Sequence, residues 1–331
     1  MNLESYPPLF TELNKQAQNN ADTFDTIKPV LQDSDPIPII DLQSLNLEQL
    51  EEACKDWGFF RLVNHGVPLT LLSQLQDHAK QLYSQSFEYK KAIFTTPTSY
   101  FWGTLALNPS GIPLSKETEK INWVEGFNIP LAQLSELQAE DPVLASFRLL
   151  LEEYGKHLTR LATTIFEAMA TNLNLDQEQS KSNLSESTAN LRVYRYPRCS
   201  IDDAGWGIDE HTDSSVLSIL NEFEVGGLEI LKDNRWVQIT PNSNTLIVNL
   251  GDMMQAISDD KYNSVKHRVR PSKHKDRFSI CYFVFPDDGK VIRSSKYKPF
   301  TYSDFRARTQ QDIKTHGFKI GLERFKLTET S

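Results

Sequence analysis

The chain has 331 residues, of which 39% are apolar and 24% charged, and a formal net charge of −9. That balance suits an ordinary globular fold. It argues against broad nucleic-acid binding or adhesion to an anionic membrane surface, since both need a positive face. No apolar run approaches the ~20 residues of a membrane helix, and MNLESYPPLF is not a basic-then-apolar leader. Three scattered cysteines, Cys54, Cys199 and Cys281, indicate neither a disulfide framework nor a CxxC zinc site. The expected location is the cytoplasm.

In chain order, residues 1–35 read as a short helix followed by a loosely attached arm. "PIPIIDL" (36–42) reads as a strand. "NLEQLEEACKDWGFF" reads as a helix capped by Asn46 and ended by Gly58. "FFRLVNHG" has strand composition and closes in a turn at Gly66, Val67 and Pro68. Helical periodicity covers 69–93. Residues 94–135 read as irregular and rich in aromatics, among them Phe94, Tyr100, Phe101, Trp102, Trp123 and Phe127. A long helix is expected over about 141–173, then a polar connection over 176–190. From 190 the pattern changes to seven short strands: "NLRVYRY", "SSVLSIL", "GGLEIL", "RWVQIT", "TLIVNL", "NSVKHRVR" and "RFSICYFVFP". Seven strands with turn signals between them indicate a sandwich or barrel. The final ~35 residues read as helix again.

Within the strand-rich half, "GIDEHTD" places His211 and Asp213 two residues apart. In extended backbone, alternate side chains share a face, so an imidazole and a carboxylate at that spacing converge. His267 follows in a strand-like segment. Two histidines and one carboxylate on one face form a facial triad that suits ferrous iron and leaves positions open. The other histidines have plainer readings. His78, His157 and His274 sit among charged neighbours, His316 caps a helix end, and His65 serves a turn. Ten residues past His267, Arg277 and Ser279 share a strand face. A buried guanidinium calls for an anion, and a carboxylate held bidentately is the natural one. Tyr196 is a further donor.

These residues resemble the plant-type 2-oxoglutarate and Fe(II)-dependent dioxygenases, the group built like isopenicillin N synthase. "IPIIDL", "WGFFRLVNHGVP" and "HTD…GGLEIL…W…P…TLIVNLGD…H" carry the resemblance over nearly the whole chain. Within that group the chain is most similar to gibberellin 2-oxidases of the C20 type, through "PPLF", "YFWGT", "NWVEGFNIP", "LKDNRW" and "HGFKIGLERF". Two departures stand out. Tyr194 occupies the place of the family's usual Asn in Asn-x-Tyr-Pro, and Asn221-Glu222-Phe223 stands where many members read Gln-Asp.

The resemblance implies an α+β fold, a double-stranded β-helix (jelly roll) wrapped by N-terminal and C-terminal helices. An N-terminal region over 36–135 and a jelly-roll region over 187–287 are expected to pack as one unit. It also implies Fe(II) on His211, Asp213 and His267, and 2-oxoglutarate on Arg277, Ser279 and Tyr196. Ascorbate is expected to support turnover. O₂ and a small molecule are the expected partners, with neither nucleic acid nor membrane, and the oligomeric state is left open. The implied reaction is hydroxylation of an apolar polycycle, a gibberellin at the 2β position, which would inactivate it. The expected pocket residues are Tyr100, Trp102, Trp123, Phe127, Tyr194 and Phe285, with Arg192, Arg195 or Lys120 available for a substrate carboxylate. Three alternatives are a hydroxylase of alkaloids, steroids or other terpenoids, a zinc hydrolase and a binding module. The hydrolase gives no reason for Arg277 and Ser279, and a binding module would be expected to lose a ligand.

Overall fold

Gly58 shows how tightly the helical layer meets the sheets. It ends a helical stretch at φ +59°, and a Cβ there would lie 2.0 Å from the Asn263 carbonyl oxygen, so only glycine fits. The computed structural model describes residues 3–19, 37–93, 98–104, 121–137, 141–199 and 205–327. Most of the expected arm, with Phe94 and Lys120, lies outside the described residues.

The first elements are α1 (Pro8–Asn19), β1 (Ile39–Asp41), α2 (Leu47–Glu52), β2 (Phe59–Val63), α3 (Leu69–Tyr83), α4 (Phe87–Ile93), β3 (Ser99–Trp102) and β4 (Glu125–Pro130). Next come α5 (Pro142–Asn172), α6 (Gln177–Asn183), β5 (Ser185–Tyr196), β6 (Ile208–His211), β7 (Leu217–Glu222), β8 (Leu228–Lys232), β9 (Arg235–Gln238) and β10 (Leu246–Leu250). The last are α7 (Asp252–Ile257), β11 (His267–Val269), β12 (Arg277–Phe285), β13 (Val291–Ile292), β14 (Phe300–Thr301) and α8 (Tyr302–His316).

Local signals account for several boundaries. Asn46 caps α2 by accepting from the Gln49 N–H at 3.0 Å. Asp141 caps α5 by accepting from the Val143 and Leu144 N–H groups. His316 is the last residue of α8, and Gly317 follows at φ +81°.

Eight strands form one sheet in the order β1-β2-β10-β7-β12-β5-β4-β3, and four form a second, β6-β11-β8-β9. Together they make the jelly-roll core. Alternation along the large sheet divides its two faces. Leu191 and Val193 of β5, Ile280 and Tyr282 of β12, and Leu246 and Val248 of β10 join the core that includes α3 and α5. Tyr194, Tyr196, Ile247 and Cys281 face the other way, into a cluster with Leu228, Ile230 and Val269 of the small sheet. The functional cavity opens on that inner side.

The structure adds elements to the expected pattern. Residues 94–135 contain the β3–β4 pair, which the glycine, asparagine and proline of "EGFNIP" disguise as loop. Gly126 is required there, because a Cβ would meet the Phe101 ring at 2.4 Å. Strand β6 is also an addition, and β5 begins at Ser185, inside the expected polar connection, because its first residues reach past the core and are polar.

Glu125 of β4 lies at the centre of a buried ionic network. Its carboxylate receives Lys90 at 2.6 Å, the Tyr100 hydroxyl and the Arg195 guanidinium. Lys90 and Arg195 also donate to the Ser5 carbonyl, which ties the N-terminal segment to the sheet. Burial pushes the Lys90 ammonium down to about 8, although Glu125 pulls it up. Glu125→Leu would leave two cations buried without that carboxylate. The expected cost is about 3–5 kcal/mol in reversible denaturant unfolding, and a loss below about 1 kcal/mol would show that the network does not hold this end of the sheet.

Candidate metal centre and its cavity

Strand pairing brings the two histidines together. In the β6–β11 ladder His267 is the direct cross-strand partner of His211, and their ring centroids lie 4.3 Å apart. Strand β6 ends at His211, so Asp213 lies just beyond the ladder rather than within it. Its place is set by the α7 N-terminus, where the Asp252 N–H donates to the Asp213 carbonyl at 2.8 Å. Asp213 Oδ1 is 3.7 Å from His211 Nε2 and 3.7 Å from His267 Nε2. Among the described residues, these three form the one group of metal-ligating side chains whose donor atoms all lie within 4.8 Å of one another.

The remaining atoms of these side chains are committed elsewhere. His211 Nδ1 is 2.8 Å from the Asp209 carbonyl, and His267 Nδ1 is 3.1 Å from the Val265 carbonyl. A carbonyl only accepts, so each Nδ1 carries a hydrogen, which leaves Nε2 as the nitrogen with a lone pair in the neutral ring. Asp213 Oδ2 accepts from Ser218 Oγ at 2.8 Å and from Asn249 Nδ2 at 2.7 Å, which leaves Oδ1 facing the imidazoles. Burial and the neighbouring His267 push His211 down to about 3, against the pull of Asp213. Burial would raise Asp213, but His267, His211 and the Ser218 bond outweigh it and hold it below the usual carboxylate range. Neutral imidazoles and an ionised carboxylate are the states a metal requires. Two histidines and a carboxylate with unspent donor atoms therefore fit Fe(II). Ser218 and Asn249 escaped the sequence reading, because nothing in their local pattern says which carboxylate they meet.

Arg277, Ser279 and Tyr196 also come together. Arg277 pairs with Tyr196 across β12–β5, and its guanidinium carbon is 4.7 Å from the phenol ring centroid. Its Nη1 reaches Ser279 Oγ at 3.4 Å. The anion that a buried arginine needs is partly supplied by the chain itself. Glu222, opposite Ser279 on β7, accepts from Arg277 Nη2 at 2.8 Å. Arg277 Nε, fully buried, has no hydrogen-bond partner among the described residues. Burial pushes the Tyr196 phenol up to about 12, although Arg277 and Ser279 lower it, so it stays a donor.

The triad and Arg277 line one cavity of about 2120 Å³. That exceeds the ~300–1,000 Å³ of a typical ligand pocket and accommodates more than one small molecule. Tyr194 is on its wall, with its ring centroid 6.0 Å from that of Tyr196. Phe285 lines it too, stacked on Tyr302 of α8 at 4.5 Å.

The other four expected pocket aromatics lie elsewhere. Tyr100 donates to Glu125, and Phe127 packs on Tyr83 with centroids 5.0 Å apart. Trp123 donates to the Pro197 carbonyl and stacks on Phe10 at 4.3 Å, and Trp102 meets Phe10 edge-on. They fill the seam between the sheet edge and helices α1, α3 and α4.

The arginines are now separable. Arg195 points to the helical face and pairs with Glu125. Arg268 is held between the Trp206 and Trp236 rings, 3.8 and 3.7 Å from their centroids, and pairs with Glu229. Arg192 faces the cavity.

The model of the 2OG-Fe(II) oxygenase superfamily matches residues 187–286, and that of the N-terminal region of non-haem dioxygenases in morphine synthesis matches 37–146. Gibberellin 2-beta-dioxygenase 8 of Arabidopsis thaliana is 34% identical over 87% of this chain and 86% of its own length. The 1-aminocyclopropane-1-carboxylate oxidase homolog 9 of the same plant is 31% identical over 86% and 79%. The crystal structure of JOX2 in complex with 2OG, Fe and JA superposes with a TM-score of 0.75 at 26% identity, covering 98% of this chain and 99% of that one.

Ser218→Ala combined with Asn249→Leu keeps all three donor side chains but frees the Asp213 carboxylate to turn. Metal affinity, measured by Co(II) titration, is expected to fall by roughly 10–100-fold. An unchanged affinity would show that the carboxylate holds its orientation without them.

Proposed function

The chain belongs to the 2OG-Fe(II) oxygenase superfamily, and on that premise we propose that it hydroxylates a carboxylated, largely apolar polycycle, most specifically a gibberellin at the 2β position. It is an Fe(II)- and 2-oxoglutarate-dependent dioxygenase, as its family is. In this reading His211, Asp213 and His267 hold the iron. Bound there, Fe(II) supplies O₂ activation coupled to oxidation of 2-oxoglutarate to succinate and CO₂. The protein's own task is to orient both organic molecules and to keep the site dry.

The observation that carries the cosubstrate assignment is the orphaned Arg277 Nε in a fully buried guanidinium. Its Nη1, Ser279 and the Tyr196 hydroxyl offer further donors on the same wall. A carboxylate entering there would accept from Nη1, Ser279 and Tyr196, and Glu222, on the Nη2 edge that also carries the Nε–H, would keep the guanidinium plane fixed. Arg277→Lys keeps the charge and loses the fork. The 2-oxoglutarate KM is expected to rise by at least tenfold while metal affinity is unchanged. An unaltered KM would move the cosubstrate carboxylate to another cation.

The substrate part rests on Arg192. Its Nε donates to the Asn128 amide oxygen at 3.1 Å, and the Tyr194 phenol is a second hydrogen-bond neighbour. Asp213 attracts it at longer range, but among the described residues no carboxylate is shown paired with it, which leaves its hydrogen-bond donors for a substrate acid. Phe283 and Phe285 add apolar surface beside it. A polycyclic acid such as a gibberellin matches that pairing of one cation with apolar walls, and the gibberellin 2-beta-dioxygenase relatives favour it. A second reading, a different small-molecule substrate, is favoured by relatives with other names at similar identity. Tyr194, bulkier than the usual Asn, would narrow the space on the Arg192 side.

Incubation with Fe(II), ascorbate, 2-oxoglutarate and a panel of gibberellins, alkaloids and steroids, read by mass spectrometry, tests the assignment. A singly hydroxylated gibberellin is expected, formed with stoichiometric succinate. Arg192→Met should raise the substrate KM at least tenfold and leave the 2-oxoglutarate KM unchanged. Turnover confined to uncharged substrates would contradict the acid assignment.

A further inference from the structure

Lys319 belongs to the segment between α8 and the short 3-10 helix Gly321–Phe325. Its ammonium donates to the Thr212 carbonyl at 2.6 Å, to Asp252 Oδ2 at 2.7 Å and to Ser214 Oγ at 3.3 Å. Thr212 is the residue between His211 and Asp213. Its carbonyl lies in the peptide plane that leads into Asp213, so holding that oxygen fixes the direction in which the Asp213 side chain leaves the backbone.

The rest of the loop lies against the start of α7. The Asp252 N–H donates to the Asp213 carbonyl at 2.8 Å, the Met253 N–H to the Ser215 carbonyl at 3.2 Å, and the Gly251 N–H to the Val216 carbonyl at 3.1 Å. At Gly251 a Cβ would come 2.1 Å from the Ser215 carbonyl oxygen, which shows how close the approach is. The Lys319 side chain is 14% exposed and that of Asp252 5%. The segment that carries Lys319 is itself anchored. Arg324 pairs with Asp312 at 2.9 Å, and Phe325 packs on Phe300 and Phe305. Its neighbours Phe318 and Ile320 line the cavity.

We propose that Lys319 is a positioning residue for the metal centre, a latch by which the C-terminal segment fixes the peptide between His211 and Asp213 and so sets metal affinity. This rests on the reading of His211, Asp213 and His267 as the metal ligands. Besides its charge acting on His211 and Asp213, the one ammonium combines two separable contacts. It neutralises the buried Asp252 carboxylate, which any structural cation would do. It also holds the Thr212 carbonyl, and that contact links it to the ligands.

A pair of variants separates the two. Lys319→Met removes both, and leaves Asp252 buried without its cation. Lys319→Met with Asp252→Asn removes the charge imbalance but still frees Thr212, while the Asp252 backbone bond to Asp213 persists. Co(II) binding to the metal-free protein, followed by its visible absorption, gives the dissociation constant. Thermal unfolding of the same metal-free protein reports the purely structural effect.

Both variants are expected to bind Co(II) about tenfold more weakly than the unaltered chain, and the double variant to recover melting temperature without recovering affinity. Recovery of full affinity in the double variant would reduce Lys319 to a counter-ion for Asp252 and overturn the latch. So would an unchanged affinity in Lys319→Met, whatever its melting temperature. If Lys319→Met does not fold, the double variant decides alone. His267→Ala serves as the control. If the unaltered chain binds Co(II) no better than that control, the ligand assignment itself falls and the latch with it.

Discussion

The site depends on each of three side chains keeping one donor atom unspent while its other atom is fixed. A histidine that used Nε2 for a structural hydrogen bond could not bind metal, and one with both nitrogens free could rotate. Here the Asp209 and Val265 carbonyls take the two Nδ1–H groups, and Ser218 with Asn249 takes one oxygen of Asp213. Each of these partners comes from backbone two residues earlier or from β7 and β10 of the large sheet. The metal centre is therefore a product of the register between strands, and a slip by one residue would turn its donors to the opposite face.

The same alternation sorts the charges. Along β5, Arg192 faces the cavity and Arg195 the helices, three residues apart in sequence. Arg195 pairs with Glu125, which it shares with Lys90, and with Asp276, in a network that balances its charge and secures the N-terminal segment. Arg192 meets an amide and a phenol and keeps its charge available. Arg277 lies between these extremes, because Glu222 takes one amino group while another nitrogen stays unmatched. In the proposed function a single sheet thus carries a structural cation, a cation for the cosubstrate and a cation for the substrate, distinguished by what the neighbouring strand places opposite each.

Much of this was legible in the sequence because the signal was local. The two-residue step from Arg277 to Ser279 is a strand-face relation readable without any partner, and the same step from His211 pointed to Asp213 although that residue lies just beyond β6. The capping roles of Asn46 and Gly58 and the length of α5 were readable for the same reason. What was not legible depended on contacts between distant residues. Glu222, Ser218 and Asn249 are ordinary strand polar residues until the β7–β12 and β7–β10 registers are known. Tyr100, Trp102, Trp123 and Phe127 have the composition of a pocket, but β3 and β4 sit at the edge of the large sheet, and their rings cover helices instead. Aromatic content alone does not say which side of a sheet is wet.

Anomalous diffraction from crystals loaded anaerobically with Fe(II) and 2-oxoglutarate tests the central claim most directly. The account predicts one iron bound by His211 Nε2, Asp213 Oδ1 and His267 Nε2, with the far carboxylate of 2-oxoglutarate on Arg277 and Ser279. Iron bound through either Nδ1, or a 2-oxoglutarate tail carboxylate seated on Arg192 with the Arg277–Glu222 pair closed, would contradict it.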